Sequence, residues 1–433
     1  MKNLAKVSKI NVEQAWELLF NRHDIVSEVQ SEGCFRISSA EINTVKEARL
    51  MAKFDQSFQL PEVFLRNKLS ILPVTRGEYI IGPFSTHREV TYSDVRPEPV
   101  EVPNLQTLDY TNLYSEASAL LFAYNSGIIQ DIMGSSKVNF TVNGRMSSGN
   151  FEYNIDNVLI PLQPQVISVQ NAQVEIDAGY ESSEAFCICE AKNIAVEEVL
   201  IRQLYYPYRL WRSKISKPII PMLLVFSNDI FHTFIYQFED EKYYNSLKLL
   251  KHKAYTFADE IITLDDVIAL WKSIVPQPEP NITFPQADSF GRVVDLLSVL
   301  FESSLTRDEV TFKYEFDARQ TNYYISACEY LGLIHRKTNE EGEREYQLSS
   351  EAQHIMNLRY KQKYLAIIKK VLERPVFYQS FELALKTYES PNKKDICQIM
   401  EQCKFGLSQI TLERRAATVR SWLDWILRMA IVE

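Results

Sequence analysis

The chain has 433 residues, of which 46% are hydrophobic, and its formal net charge at pH 7 is −9. This composition excludes a disordered or fibrous protein, and the length predicts several domains, because a domain usually has roughly 100 to 200 residues. The negative charge argues at first against a nucleic-acid-binding protein. The acid excess, however, lies in residues 104–286, which contain 21 Asp and Glu but 13 Lys and Arg. That distribution suits a metal site as well as a merely acidic surface.

Several kinds of site are missing from the sequence. The six cysteines have no zinc-type spacing, so we expect reduced thiols, and the six histidines form no ligand cluster. There is no phosphate-binding loop, no G-x-G-x-x-G element and no serine-hydrolase elbow, so we expect no nucleotide cofactor. The N-terminus has no apolar signal segment, and no apolar run could span a bilayer. These features predict a cytoplasmic protein without a membrane partner.

Two proline-rich segments, residues 96–104 and 275–285, are typical of linkers. They predict an N-terminal α+β domain that is a candidate for DNA recognition, a central domain and a mainly helical C-terminal region, at residues 1–98, 104–275 and 287–433.

The pattern of apolar residues predicts helices and strands in the first two domains. In the first domain we expect a helix and two strands, at residues 12–20, 70–73 and 79–81. In the central domain we expect helices at residues 112–133 and 195–212, and strands at residues 140–142, 151–155, 158–162, 165–177, 185–193, 218–226 and 230–238. This order predicts an α/β domain built on a mixed sheet.

The C-terminal region has the outline of a winged helix. Three predicted helices, the third closed by Gly332, precede two strands around an acidic turn. The helices are expected at residues 293–301, 306–310 and 317–331. Early residues of the third helix are of types that reach base edges or phosphates, namely Arg319, Gln320, Asn322 and Tyr323. The alternative is a protein–protein module in which this helix is solvated.

Two further places could contact DNA. Arg414 and Arg415 lie on a predicted helix at residues 411–427 and could follow a phosphate backbone, although scattered arginines are also ordinary on a surface helix. Arg145 and Ser147 lie in a glycine- and serine-containing turn of residues 142–153, which is either a DNA-backbone contact or a plain hairpin loop.

Asp177, Glu190 and Lys192 carry the clearest chemistry. Residues two apart in a strand share a face, so Glu190 and Lys192 point the same way. If the preceding strand ends at Asp177, with Glu175 on the same face, a hairpin brings Asp177 and Glu190 together. Two adjacent carboxylates repel each other unless a cation lies between them or one is protonated, and hard oxygen ligands suit Mg²⁺. A nearby lysine could then hold a water or stabilise a phosphate oxygen, which would support hydrolysis of a phosphodiester.

The pattern D-x12-E-x-K resembles the PD-(D/E)XK signature of restriction-endonuclease-like nucleases, with Ile176 where the motif has Pro. The resemblance implies a restriction-endonuclease-like mixed-sheet core, with Asp177, Glu190 and the Ala191 carbonyl as Mg²⁺ ligands. It implies that Lys192 positions the attacking water. Many members carry a further Glu on the preceding helix, for which Glu116 is the candidate.

A weaker likeness concerns the following helix. Gln203 with Tyr206 or Tyr208 is only loosely similar to the Gln-x3-Tyr element of RecB-like members, because Pro207 stands at the expected Tyr position.

The implied function is a stand-alone type II restriction endonuclease that cuts double-stranded DNA, with a homodimer as one possible assembly. Two alternatives stay open. One is a repair or defence nuclease for modified bases or DNA structures, and the other is a winged-helix DNA-binding regulator with a non-catalytic core.

Overall fold

The computed structural model describes residues 10–111, 113–257, 260–314, 318–340, 342–387, 389–403 and 408–430. Across these residues the chain is a mixed α/β protein whose largest sheet has seven strands. None of the described helices combines the length and the apolar character needed to cross a bilayer. The six cysteines all lie in the described ranges and are unpaired, as predicted.

The N-terminal elements form a small α+β unit around three aromatic rings. Its helices are α1 (Val12–His23), α2 (Ile25–Glu32), α3 (Ser39–Asn43), α4 (Ala48–Met51) and α5 (Glu62–Asn67), and its strands are β1 (Phe35–Ser38), β2 (Ser70–Pro73) and β3 (Glu78–Gly82). The strands pair antiparallel in the order β1-β3-β2. Trp16, Phe20 and Phe64 meet edge to face in the core. The predicted first helix and two strands are confirmed, with the helix extended by three residues.

The central elements build the seven-stranded sheet and cover both of its faces. The strands are β4 (His87–Glu89), β5 (Glu98–Pro99), β6 (Asn139–Ser147), β7 (Asn150–Ile155), β8 (Gln165–Gln170), β9 (Gln173–Glu181), β10 (Phe186–Lys192), β11 (Glu198–Leu200), β12 (Ile219–Ser227), β13 (Ile230–Phe238) and β14 (Leu247–Thr256). The helices are α6 (Glu116–Asn125), α7 (Ile128–Met133), α8 (Ile201–Arg212) and α9 (Leu264–Ser273).

The sheet is mixed, as predicted. Its order is β5-β14-β13-β12-β10-β9-β6, and β10 and β12 run parallel because α8 carries the chain from one to the other. Helices α6 and α7 cover the face that carries Cys187 and Cys189, whereas Phe186 and Ile188 pack on the face toward α8. Two pairs stand apart from this sheet, β7 with β8 and β11 with β4.

The pairing register between strands β6 and β9 shifts by one residue close to the candidate site. Val142 pairs with Gly179 while Gly144 pairs with Ile176, so two steps along β6 match three along β9. This is a β-bulge at Asp177 and its neighbours, and bulges commonly redirect a side chain beside an active site. The strand also continues to Glu181, so the prediction that it ends at Asp177 was wrong.

The C-terminal elements follow the order helix, short strand, two helices and hairpin. They are α10 (Phe290–Glu302), β15 (Leu305–Thr306), α11 (Arg307–Lys313), α12 (Ala318–Tyr330), β16 (Ile334–Thr338) and β17 (Arg344–Leu348), followed by α13 (Ser350–Met356), α14 (Tyr360–Leu372), α15 (Pro375–Thr387), α16 (Lys393–Gln402) and α17 (Gln409–Met429). The strands pair antiparallel in the order β15-β17-β16. Trp422 of α17 packs on Phe290 and Phe377, which joins the last helix to the first.

Four predicted elements of the central part differ from the structure. The strand expected at residues 165–177 is two strands, β8 and β9, which belong to different sheets. The expected helix at residues 112–133 is two helices, because Gly127 adopts φ 88° and the chain turns there. The stretch at residues 158–162 forms turns and not a strand, and Leu162 is fully exposed. The helix expected from residue 195 begins at Ile201, since Glu198–Leu200 pairs with β4 as a strand. Residues 112 and 317, the first residues of two predicted helices, lie outside the described ranges.

Candidate active site

Antiparallel pairing of β9 and β10 brings the two predicted carboxylates together. Cys189 pairs with Ala178, so the register places Glu190 opposite Asp177. The backbone N–H of Ala191 donates to Asp177 Oδ2 at 2.9 Å, which orients this carboxylate. The two side chains lie close enough for each to shift the pKa of the other. The structure therefore joins Asp177, Glu190 and the Ala191 backbone at one point of the sheet.

Burial governs the charge of this pair. It raises the pKa of Asp177, and it raises the pKa of Glu190 well above the usual range, where the nearby Asp177 charge adds to the effect. Glu190 is only 7% exposed. Both shifts favour the protonated form, so the pair resists carrying two negative charges when no cation lies between them.

Lys192 lies between two carboxylates, one of which the sequence did not predict. Its Nζ is 3.4 Å from Glu190 Oε1 and 3.7 Å from Asp55 Oδ2. Asp55 comes from the chain between α4 and α5, and it is buried. Burial opposes its ionisation, but Lys192, Lys53 and other cations keep the pKa of Asp55 below its usual value. Asp55 lies in no motif, and no signal in the sequence connects it to Lys192.

Two further side chains of the site, Gln203 and Glu116, come from the helices that flank it. Gln203 of α8 donates through Nε2 to Glu190 Oε1, so the helix after the motif holds the glutamate. Glu116 is the first residue of α6, and its charge contributes to the raised pKa of Glu190. Both side chains line the same cleft as the predicted trio.

The cleft above this pair is open and has a basic border. Its volume is about 480 Å³, and its walls come from the N-terminal and central elements. Besides Lys192, the cationic side chains that line it are Arg49, Lys53, Arg76, Arg145 and Arg202. The cleft thus has acidic groups at its floor and cations around them, an arrangement that suits a polyanion held over a metal.

A second cleft of about 270 Å³ lies on the other side of Lys192. Lys53, Asp55, Glu116 and Lys192 line both clefts. Phe312 and Lys313 of α11 close its far wall, and the Lys53 ammonium lies 5.5 Å from the Phe312 ring centre. All three regions of the chain therefore contribute to the surroundings of Lys192.

The donors at Asp177 and Glu190 fit a divalent cation of the Mg²⁺ type. Across the described residues, no three His, Cys, Asp or Glu side chains are grouped to hold a metal ion. Mg²⁺ needs fewer protein ligands, because it binds through one or two carboxylates and keeps several waters. A cation between Asp177 and Glu190 would offset the repulsion of the two carboxylates and favour their ionised forms.

The structure places the predicted DNA-binding residues away from these carboxylates, except for Arg145. Arg145 lies within strand β6 and not in a turn, so the predicted loop was wrong, and its Nε is 3.2 Å from Glu175 Oε1 on β9. This pair stands at the border of the larger cleft. Ser147 ends the same strand and donates to Asn171 Oδ1 at 3.0 Å.

The early residues of α12 form a partly exposed group. Arg319 and Asn322 are exposed, while Gln320 and Tyr323 are half-buried. Arg319 Nε donates to the Tyr323 hydroxyl at 2.7 Å, and its guanidinium lies over the Tyr323 ring. None of these four side chains lines either cleft.

The two arginines of α17 have different surroundings. Arg414 is exposed, whereas Arg415 is half-buried and donates to Gln286 Oε1 at 2.5 Å. Burial lowers the pKa of Arg415. The contact with Gln286, just after the second proline-rich segment, accounts for Arg415 without a DNA contact.

Three family models match the chain. All three are described as domains of unknown function: DUF6996 matches residues 13–81, DUF6997 residues 82–256 and DUF7226 residues 292–431. No curated protein and no solved structure matches the chain. The candidate site draws on two of these matches, because Asp55 lies in the first and the four other acidic and basic residues, Glu116, Asp177, Glu190 and Lys192, lie in the second.

Proposed function

We propose that the chain is a Mg²⁺-dependent DNA endonuclease. The observation that carries the proposal is the convergence of Asp177, Glu190 and Lys192 at the floor of a cleft with a basic border. A buried carboxylate pair next to an ammonium group suits metal-assisted hydrolysis of a phosphodiester, since the carboxylates can hold the metal and the ammonium can stabilise negative charge. The surrounding cations suit the phosphates on either side of the bond to be cut.

Each residue has a separate task in this mechanism. Asp177, Glu190 and the Ala191 carbonyl would hold Mg²⁺, which supplies Lewis acidity and lowers the pKa of a water. The Ala191 N–H fixes Asp177, and Gln203 fixes Glu190, so the two carboxylates keep their orientation. Lys192 donates a hydrogen bond to the attacking water or to a phosphate oxygen and stabilises the negative charge that develops there.

The order of elements around the site supports the same proposal. Helix α6, the antiparallel strands β6, β9 and β10, helix α8 and the parallel strand β12 follow one another as in a restriction-endonuclease-like core. The C-terminal sequence of helix, short strand, two helices and hairpin has the winged-helix order. In that arrangement α12 would be the helix that reads the major groove through Arg319, Gln320, Asn322 and Tyr323.

We further propose a type II restriction enzyme, which reads its own site on double-stranded DNA. The sequence has no phosphate-binding loop for an ATP-driven motor, so such a nuclease would find its site by diffusion. Cutting both strands with one site per chain would need a homodimer or two successive nicks.

The test is cleavage of unmethylated phage DNA by the purified protein with Mg²⁺, with Ca²⁺ or with EDTA. The matched variants are Lys192→Ala and, as a control, Lys248→Ala, which removes an exposed lysine of β14. We expect discrete fragments with Mg²⁺ only, and a loss of at least about 100-fold in rate for Lys192→Ala. Lys248→Ala should cut like the wild type.

The alternatives predict other results. If the protein binds this DNA but neither it nor a variant cuts it, the chain is a DNA-binding regulator with a non-catalytic core, and the proposal of a nuclease is wrong. If it cuts only DNA with modified bases or branched structure, the metal site stands and the restriction assignment is wrong.

A further inference from the structure

We propose that Asp55 is a positioning residue of the active site that holds the Lys192 ammonium beside the metal site. This inference rests on the proposed nuclease function and assigns a role to the N-terminal region within the chemistry itself. Asp55 lies outside the part of the chain that resembles a nuclease core. The resemblance therefore gives it no role.

The first support is the geometry around Lys192. Its ammonium lies 3.4 Å from Glu190 Oε1 and 3.7 Å from Asp55 Oδ2, and the side chains of Lys192 and Asp55 are each 8% exposed. A buried ammonium depends on its counterions far more than an exposed one, because little water is present to replace them. Asp55 and Glu190 thus decide together where Lys192 points.

The second support is that the Asp55 segment is fixed to the central region next to the site. Gln56 donates through Nε2 to the Glu198 carbonyl at 2.9 Å, and the Ser57 N–H donates to the Glu198 carboxylate. Glu198 begins β11, which leads directly into α8, and α8 carries Gln203 to Glu190. One strand–helix unit therefore places both counterions of Lys192.

The third support is what happens when a cation binds. A divalent cation on Asp177 and Glu190 repels the Lys192 ammonium, and it competes for the oxygen that Lys192 now faces. Asp55 is not among the proposed metal ligands and remains available as a counterion. It offsets this repulsion and keeps the ammonium within reach of the attacking water.

The position of Asp55 in the clefts agrees with this role. Asp55 lines both the larger cleft and the second cleft, together with Lys192. The pair therefore lies at the wall of the space proposed for the substrate.

The experiment compares Asp55→Asn and Asp55→Glu with Asp24→Asn. Asp24 is the other Asp that lies in residues 1–81, and it is exposed in a left-handed conformation that Asn accepts well. We would measure single-turnover cleavage with Mg²⁺, DNA affinity with Ca²⁺, Mn²⁺ affinity by electron paramagnetic resonance, and thermal unfolding.

We expect Asp55→Asn to slow cleavage by about 10- to 100-fold, the usual effect of removing a group that orients a catalytic residue. DNA affinity and Mn²⁺ affinity should stay within about threefold of wild type, since neither ligand is held by Asp55. Asp55→Glu should recover part of the rate because it restores the charge. Asp24→Asn should match the wild type.

Three results would overturn the role of Asp55 while the nuclease proposal stands. They are full activity of Asp55→Asn, a loss of Mn²⁺ affinity that parallels the loss of rate, and equal losses in Asp55→Asn and Asp55→Glu that follow a lower unfolding temperature. The second would make Asp55 a metal ligand, and the third would make it a structural contact. A wild-type protein that cuts no DNA would refute both proposals together.

Discussion

Replacement of Asp295 by Asn should remove a pH dependence from the stability of the protein. Asp295 lies on α10, is 1% exposed, and accepts hydrogen bonds from the Ala195 N–H at 3.1 Å and from the Ser227 hydroxyl at 2.8 Å. Despite these donors, burial raises the pKa of Asp295 from 3.8 to about 6. The C-terminal region therefore contacts the chain just beyond Lys192 through a carboxyl group whose pKa is raised.

The sign of the effect follows from linkage. The folded protein binds the Asp295 proton more tightly than the unfolded chain does, so ionisation favours unfolding. The stabilisation by the neutral group is complete only well below about pH 4 and is lost as the pH rises through about 6. A pKa difference of about two, at about 1.4 kcal/mol for each pKa unit, corresponds to a loss of about 3 kcal/mol.

The measurement is urea unfolding of wild type and Asp295→Asn at constant ionic strength, from about pH 4 to about pH 7. The quantity to compare is the difference between their unfolding free energies, because the other titrating groups cancel in it. We expect wild type to lose about 2 kcal/mol relative to the variant over this range, because part of the full loss falls below pH 4. The reasoning is refuted if the difference does not change with pH. Asp24→Asn, at an exposed position, serves as the control and should show no such slope.

Three further predictions concern single side chains. Lys363→Met should lower the unfolding free energy by about 3–5 kcal/mol, because it leaves the buried Asp229 carboxylate without its cation. Adding Asp229→Asn should restore most of this loss. Equal stability of the single and double variants in urea unfolding would contradict the prediction. Gln203→Ala should slow single-turnover cleavage by about 10- to 100-fold, because Gln203 holds Glu190, a proposed metal ligand. DNA binding in Ca²⁺ should stay near that of the wild type, and a loss of DNA affinity parallel to the loss of rate would speak against this role. Arg145→Ala should reduce the slope of log affinity against log salt by about one, and an unchanged slope would show that Arg145 contacts no phosphate.

The central trio was within reach of sequence reasoning because its geometry is local. Glu190 and Lys192 stand two apart on one strand, and the next strand brings Asp177 opposite. Strict alternation would place Val174, Ile176 and Ala178 on one face. The bulge in β9 puts Val174 and Ile176 in one core and Ala178 in the other. The pattern of apolar residues in the sequence does not predict such a bulge.

The contact of Asp55 with Lys192 could not be predicted from the sequence, for a different reason. Its contact with Lys192 depends on how two regions dock, and docking is decided by contacts such as Gln56 with Glu198 that have no sequence period. The expected strand at residues 158–162 failed because its apolar residues, among them Leu162, lie exposed in a turn. The expected helix at 112–133 was broken by one glycine whose φ is positive, a feature that helix propensity does not exclude.

The anchoring of Asp55 has a consequence for how such chains can evolve. The matches to the first two family models meet between residues 81 and 82. An exchange there would bring in a foreign Asp55, with Gln56 and Ser57, while Glu198 and Lys192 stayed behind. A hybrid gene would keep Asp177, Glu190 and Lys192 and still pair Lys192 with a counterion from another parent. The fit of the first segment to Lys192 therefore depends on the second segment, although each segment is matched by a family model of its own.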